Sequence, residues 1–169
     1  VTYVAPVGTD NCSGVTTART AGLASGSTFP VGVSTVTYTA TDGAGNTTSC
    51  SFTVTVVDNI PPVIAGCPSN ITVNAGAACT ATATWAVPTV TDNCSGATIT
   101  RTTGAAPGST FPLGVTNIVY TATDGAGNTA TCAFTVTVID NAPPAIACPA
   151  NISVNAAAGT CGKVVTYVA

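Results

Sequence analysis

The stretch Tyr120-Thr-Ala-Thr-Asp-Gly-Ala-Gly-Asn-Thr-Ala-Thr-Cys-Ala-Phe-Thr-Val-Thr-Val138 decides the fold. Apolar residues alternate with Thr on either side of Asp124-Gly-Ala-Gly-Asn128, which is the period of a half-buried antiparallel strand, and the central residues are turn formers. The segment therefore reads as a hairpin whose second strand carries Cys132, Phe134, Val136 and Val138 on one face. No helical period competes with it. The same pattern predicts further strands near residues 70–75, 79–87, 97–103, 109–113 and 115–123, and the hairpin's second strand near 129–139. Cys79, Ala81, Ala83, Trp85 and Val87 share a face and are expected to meet the Cys132 face as the core.

Working outward, sliding the sequence by 82 positions lays Thr9-Asp-Asn-Cys-Ser-Gly14 on Thr91-Asp-Asn-Cys-Ser-Gly96 and Gly26-Ser-Thr-Phe-Pro30 on Gly108-Ser-Thr-Phe-Pro112. It also superposes Tyr38 to Asn46 on Tyr120 to Asn128, Cys50 on Cys132, and Asp58 on Asp140. Cys148 and Cys161 repeat Cys67 and Cys79, and Val165 to Ala169 repeats Val1 to Ala5. The expected organisation is a module lacking its first strand over 1–62, a complete module over 63–144, and the start of a third over 145–169, cut from a longer periodic chain. Six or seven short strands in each period indicate an all-β fold of tandem immunoglobulin-like β-sandwich modules.

Composition excludes several functions. The 169 residues include no His, no Glu and one Lys, Lys163, so no nucleophile and base pair can be assembled, and an enzyme is not expected. Three cations against six acids, net charge −3, leave no footprint for nucleic acid and no polybasic membrane patch. No run of about twenty apolar residues is present for membrane insertion. The eight cysteines, Cys12, Cys50, Cys67, Cys79, Cys94, Cys132, Cys148 and Cys161, recur as a set of four per period, without CxxC pairs or His. Disulfides rather than zinc are expected, and with them an oxidising, extracellular location. Three pairings within a module stay open; Cys67 with Cys79 and Cys94 with Cys132 is the one that closes every bridge inside this chain.

The ordered motifs Cys67-Pro-Ser-Asn-Ile-Thr-Val73, Trp85-Ala-Val-Pro88, Thr91-Asp-Asn-Cys94, Ser109-Thr-Phe-Pro-Leu-Gly114, Tyr120 to Asn128 and Cys132 to Val138 resemble the hyalin repeat, or HYR, domain along the whole chain. The resemblance implies an immunoglobulin-like fold, an extracellular or cell-surface location and a role in adhesion, including tandem arrays in long bacterial surface proteins. It does not fix a ligand.

All six acids are Asp and occupy three repeating positions: Asp10 and Asp92, Asp42 and Asp124, Asp58 and Asp140. In an immunoglobulin-like module the loops bearing Asp92 and Asp124 lie where the incoming linker arrives. Asp58, Asn59, Asp92, Asn93 and Asp124 are therefore expected at one inter-module joint. Two chemistries suit them. Asp and Asn cap turns by side-chain to backbone hydrogen bonds, and clustered hard oxygens can hold calcium. The Asp-Asn-x-Pro-Pro linker is similar to the calcium-bearing linkers of cadherins, but it is shorter and lacks Glu. No cofactor is required; calcium is the one candidate. Arg19 and Arg101 read as edge charges, Trp85 as a core residue, and Tyr38 and Tyr120 as tyrosine-corner residues.

Two functions follow. The first is a structural rod or filament of modules stiffened by Pro-Pro linkers, built for reach and strength and partnered chiefly by itself. The alternative is an adhesin module whose end loops recognise a surface glycan or protein, with calcium as a conceivable requirement. Loops that scarcely differ between copies favour the rod.

Overall fold

The computed structural model describes residues 1–167, so the last two residues of the repeated Val165 to Ala169 string lie outside it. Eleven strands and no helix occur among the described residues. The first module holds β1 (Thr16–Ala21), β2 (Gly32–Thr41) and β3 (Thr47–Val56), an antiparallel sheet with β2 central. The second holds β4 (Val63–Ala65), β5 (Ile71–Asn74), β6 (Thr80–Thr82), β7 (Thr89–Thr91), β8 (Thr98–Thr103), β9 (Thr110–Pro112), β10 (Gly114–Thr123) and β11 (Thr129–Ile139). Its main sheet runs β5-β11-β10-β8, and the pairs β4-β7 and β6-β9 supply the remaining strands. β1, β2 and β3 stand one period before β8, β10 and β11. No strand is assigned between residue 140 and the end of the described chain, where a third module was expected to begin.

The β10–β11 hairpin is the frame. Its register runs from Gly114 opposite Val138 to Thr123 opposite Thr129, so Cys132, Phe134, Val136 and Val138 fall on one face and are buried, as the alternation requires. Ile118 and Tyr120 join them from β10, and Phe111 and Ala83 close the core from β9 and the chain after β6. Trp85 packs edge-on to Phe134 at 5.2 Å between ring centroids and donates its indole N–H to the Tyr120 hydroxyl at 3.0 Å. The Tyr120 hydroxyl thus serves as the partner of a half-buried Trp. In the first module Tyr3 takes the place of Trp85, stacking edge-on to Phe52 and donating its hydroxyl hydrogen to the Leu23 carbonyl at 2.6 Å.

Arg19 and Arg101 lie exposed on β1 and β8, each donating to the carbonyl of a nearby glycine, Gly22 and Gly104. Gly104 has φ +84, and a Cβ there would strike the Asn117 carbonyl and Ile118, so only Gly fits where β8 leaves the sheet.

The strand expected over 79–87 is confined to Thr80–Thr82. After it the Ala83 carbonyl accepts from Gly108 at 2.8 Å, and the chain then leaves the pair toward buried Pro88, which has no N–H for a ladder. Cys79 and Val87, expected in the core, are exposed as a result, whereas Ala83 is buried and Trp85 is half-buried. The short β4 and β7 lie outside the strands predicted from periodicity.

One disulfide is present, Cys67 to Cys132, with Cα atoms 5.8 Å apart. Cys12, Cys50, Cys79, Cys94, Cys148 and Cys161 make no bridge within this chain, and the Cys67–Cys132 bond replaces the pairing of Cys67 with Cys79 and Cys94 with Cys132. Parallel pairing of β5 with β11, Ile71 beside Val136, brings the chain just before β5 alongside Cys132, while the turn after β5 carries Cys79 to the far end of β11. The bridge closes a 65-residue separation, for which the chain-entropy relation gives about 4 kcal/mol of stabilisation. Cys132→Ser is expected to lower the unfolding free energy of the second module by roughly that amount, about 2–5 kcal/mol, read from urea unfolding followed by the fluorescence of Trp85.

Candidate functional site: the joint before the second module

The segment Asp58-Asn-Ile-Pro-Pro62 enters the second module between two of its loops. Pro62 is buried and fixes its own φ, which holds the entry extended and hands the chain to β4. β4 pairs with β7, Val63 opposite Thr91, so the Asp92-Asn-Cys94 loop that follows β7 is delivered to the linker. The β10–β11 turn reaches the same place from the main sheet.

That turn is built by Asp124. Its Oδ1 accepts from the backbone N–H of Ala126 at 2.9 Å and of Asn128 at 2.8 Å, and its Oδ2 accepts from the Asn128 side-chain amide at 2.8 Å. The same Asn128 Nδ2 donates to the Asp58 carbonyl at 3.1 Å and the Ile60 carbonyl at 3.5 Å. Asn128 is therefore a clamp between the hairpin turn and the linker. In the first module Asp42 and Asn46 make the same turn, with Asn46 Nδ2 to Asp42 Oδ2 at 2.8 Å.

Asp58 and Asp92 each spend one carboxylate oxygen on a turn. Asp58 Oδ1 accepts from Ile60 N–H at 3.1 Å, and Asp92 Oδ2 from Cys94 N–H at 2.8 Å. The other oxygens, Asp58 Oδ2 and Asp92 Oδ1, are buried without a hydrogen bond of ordinary geometry. Asp58 as a whole is only 7% exposed. One ligand atom each from Asp58, Asp92 and the Cys94 thiol lie within 4.8 Å of one another. Hydrogen bonding to Asp58, then burial, then the charges of Asp58, Asp92 and Asp124 push the Cys94 thiol above its usual range.

Of the five residues expected at the joint, Asp58 and Asp92 meet directly and Asp124 stands close by, with both its oxygens engaged in its own turn. Asn59 and Asn93 are exposed, and Asn93 reaches only the Cys94 sulfur, at 3.2 Å. Sequence reasoning passed over Cys94 as a member of the cluster and Asn128 as the clamp. The signal for Asn128 was its constant spacing after Asp124, which was read as turn chemistry alone.

Residues 1–56 and 57–138 each match the family model described as the HYR domain. The chain belongs to the HYR domain family. Among curated proteins it is 39% identical over 152 residues to a protein named hyalin from Strongylocentrotus purpuratus, covering 85% of this chain and 12% of that protein. It is 39% identical over 155 residues to hyalin of Lytechinus variegatus, covering 88% of this chain and 29% of the relative. A further relative, sushi, von Willebrand factor type A, EGF and pentraxin domain-containing protein 1 of Rattus norvegicus, is 43% identical over 104 residues, 62% of this chain and 3% of that protein. The HYR chain thus spans less than a third of the length of each of these relatives. No helix among its described residues is long and apolar enough to cross a membrane.

Burial alone would raise the Asp124 carboxyl, but the Asn128 side chain and the N–H groups of Asn128, Ala126 and Gly127 outweigh it and hold the carboxyl below its ordinary value. Asp42 is lowered too, first by the Asn46 side chain. With folded values depressed, both turns contribute stability above the unfolded pKa of about 4, and lose it as pH falls through the lower folded values. The melting temperature should hold level from neutral pH to about 4 and drop below that. In Asn128→Ala the side-chain amide is lost while the backbone N–H groups stay, and the Asp124 carboxyl should titrate at higher pH than in the parent, measured by its 13C shift.

Proposed function

We propose that this chain is a stretch of an extracellular, adhesion-type structural array in which HYR modules follow one another as a rod or filament. The observation that carries the reading is the Asn128 clamp: the hairpin turn of one module grips the linker carbonyls of Asp58 and Ile60, and the adjoining Pro61-Pro62 resists bending. The names of the relatives, hyalins and a multidomain sushi and von Willebrand factor protein, suit an extracellular place. The near absence of general acids and bases makes a non-enzymatic role the better fit. Matching turns at Asp42 and Asp124 also favour a repeated structural part over a single recognition loop for a glycan or protein. Sparse charge lets such rods approach laterally, so the expected partner is another copy of the array. Electron microscopy of the intact protein should show straight rods with an axial repeat of about 40 Å, since the 11-residue β11 spans about 36 Å at ~3.3 Å per residue. Freely jointed beads would reject the rod.

The unpartnered oxygens favour a second reading, a calcium ion seated at the joint. Asp58 Oδ2 and Asp92 Oδ1 are two hard oxygen ligands without a hydrogen bond of ordinary geometry, the Cys94 thiol being the one donor turned toward Asp58, and backbone carbonyls and water would complete a set of six to eight oxygens. Calcium should then raise the melting temperature of the parent by several degrees and leave Asp92→Asn unmoved. Equal melting of the parent with calcium and with chelator rejects the ion.

A further inference from the structure

Each period carries four cysteines, and the module uses two of them internally, Cys67 and Cys132. The two left over sit at opposite ends. Cys79 lies in the turn between β5 and β6, at the outgoing end: Ala75 N–H donates to the Ile139 carbonyl at 2.8 Å, Cys79 N–H donates to the Gly76 carbonyl at 2.9 Å, and the next residue, Thr80, pairs with Pro112. Ile139 is the last residue of β11, and Asp140 begins the next linker. Cys94 lies at the incoming end, its sulfur in the cluster with Asp58. β11 runs the length of the module between them, about 36 Å at ~3.3 Å per residue. A disulfide needs Cα atoms about 4.4–6.8 Å apart, so Cys79 and Cys94 of one module cannot bond to each other.

Translation by one period removes the difficulty. Asp58 and Asp140 are equivalent positions. The Cys94 loop touches the linker at Asp58, and the Cys79 turn hangs beside the residue immediately before Asp140. In a continuing array, the outgoing turn of one module and the incoming loop of the next therefore converge on the same linker residue. We propose that Cys79 forms a disulfide with the cysteine at the Cys94 position of the following module, and that Cys94 forms the same bond with the cysteine at the Cys79 position of the module before it.

Two independent features agree. Both thiols recur in register, Cys12 with Cys94 inside the same Thr-Asp-Asn-Cys-Ser-Gly string and Cys161 with Cys79 among residues that differ. Cys79 also has φ +58, the one positive value at a non-glycine among the described residues, where Gly or Asn would sit more easily. Formation is an oxidation: each pair of thiols gives up two protons and two electrons. Exchange with a low-molecular-weight disulfide balances it, the attacking thiolate forming a mixed disulfide that the second cysteine resolves, with two small thiols released.

The inference rests on the modules following one another in tandem, as the rod reading holds, and adds a covalent staple across each joint. The intact protein, isolated without reductant and alkylated, is digested with pepsin at low pH to suppress exchange, and its peptides are mapped unreduced. The expected map joins Cys67 to Cys132, and joins the Cys79 peptide to an Asp-Asn-Cys-Ser-Gly peptide of the next module. Alkylated Cys79 and Cys94, or a bond between the two within one module, overturns the staple. As a second measurement, Cys79→Ser should release one labelled thiol per substituted site, in the following module, while Cys94 of its own module stays blocked; release of its own Cys94 overturns the proposal. Electron micrographs of the same sample judge the rod separately, so rods with free thiols would reject the staple alone.

Discussion

Everything in the second module hangs on how Asp124 closes the β10–β11 hairpin. Three N–H groups converge on one carboxylate, and this fixes a turn that the glycines alone would leave loose. With the turn fixed, the register from Thr123 opposite Thr129 to Gly114 opposite Val138 follows, and with the register the buried row Cys132, Phe134, Val136, Val138. A one-residue slip would turn that row to solvent. The same turn presents Asn128 to the linker, so core and joint are set by a single hydrogen-bonded unit.

Outside this core the molecule spends few charges. Its sheet surfaces carry hydroxyl ladders instead, such as Thr20 to Thr39 at 3.1 Å, Thr39 to Ser49 at 2.8 Å and Thr102 to Thr121 at 3.1 Å. β-branched Thr suits the pleated surface, and cross-strand Thr and Ser pairs each contribute about 0.2–1 kcal/mol without the screening that weakens ion pairs. A small module with a thin apolar interior relies correspondingly on its bridge.

The parts legible in the sequence were those governed by local periodicity. Alternation gave the long strands and the Cys132 face, and the turn residues at Asp124 to Asn128 gave the hairpin. Self-similarity gave the repeat. The disulfide partner was hidden because it depends on a parallel pairing between β5 and β11, two segments far apart in the chain with no mutual signature. The three-residue strands β4 and β7 were too short to carry a period, and the second expected strand is confined to Thr80–Thr82. At the joint, the approach of Asp58 to Asp92 could be anticipated from where immunoglobulin-like loops lie. The dual bonding of Asn128 could not, since one amide serving both a turn and a linker is a property of tertiary placement.

The Cys67–Cys132 bridge has a mechanical meaning. Pulling on the two ends of a module sends the force through the entering linker to Cys67, across the sulfur atoms to Cys132, and out along β11. The 65-residue span between the two cysteines lies off this load path. Without the bridge, unravelling that span would lengthen the chain by about 220 Å at ~3.4 Å per residue. With it, only the short stretches outside the cysteines can pay out, and the backbone of the module behaves as a link of nearly fixed length, even when its sheets have come apart.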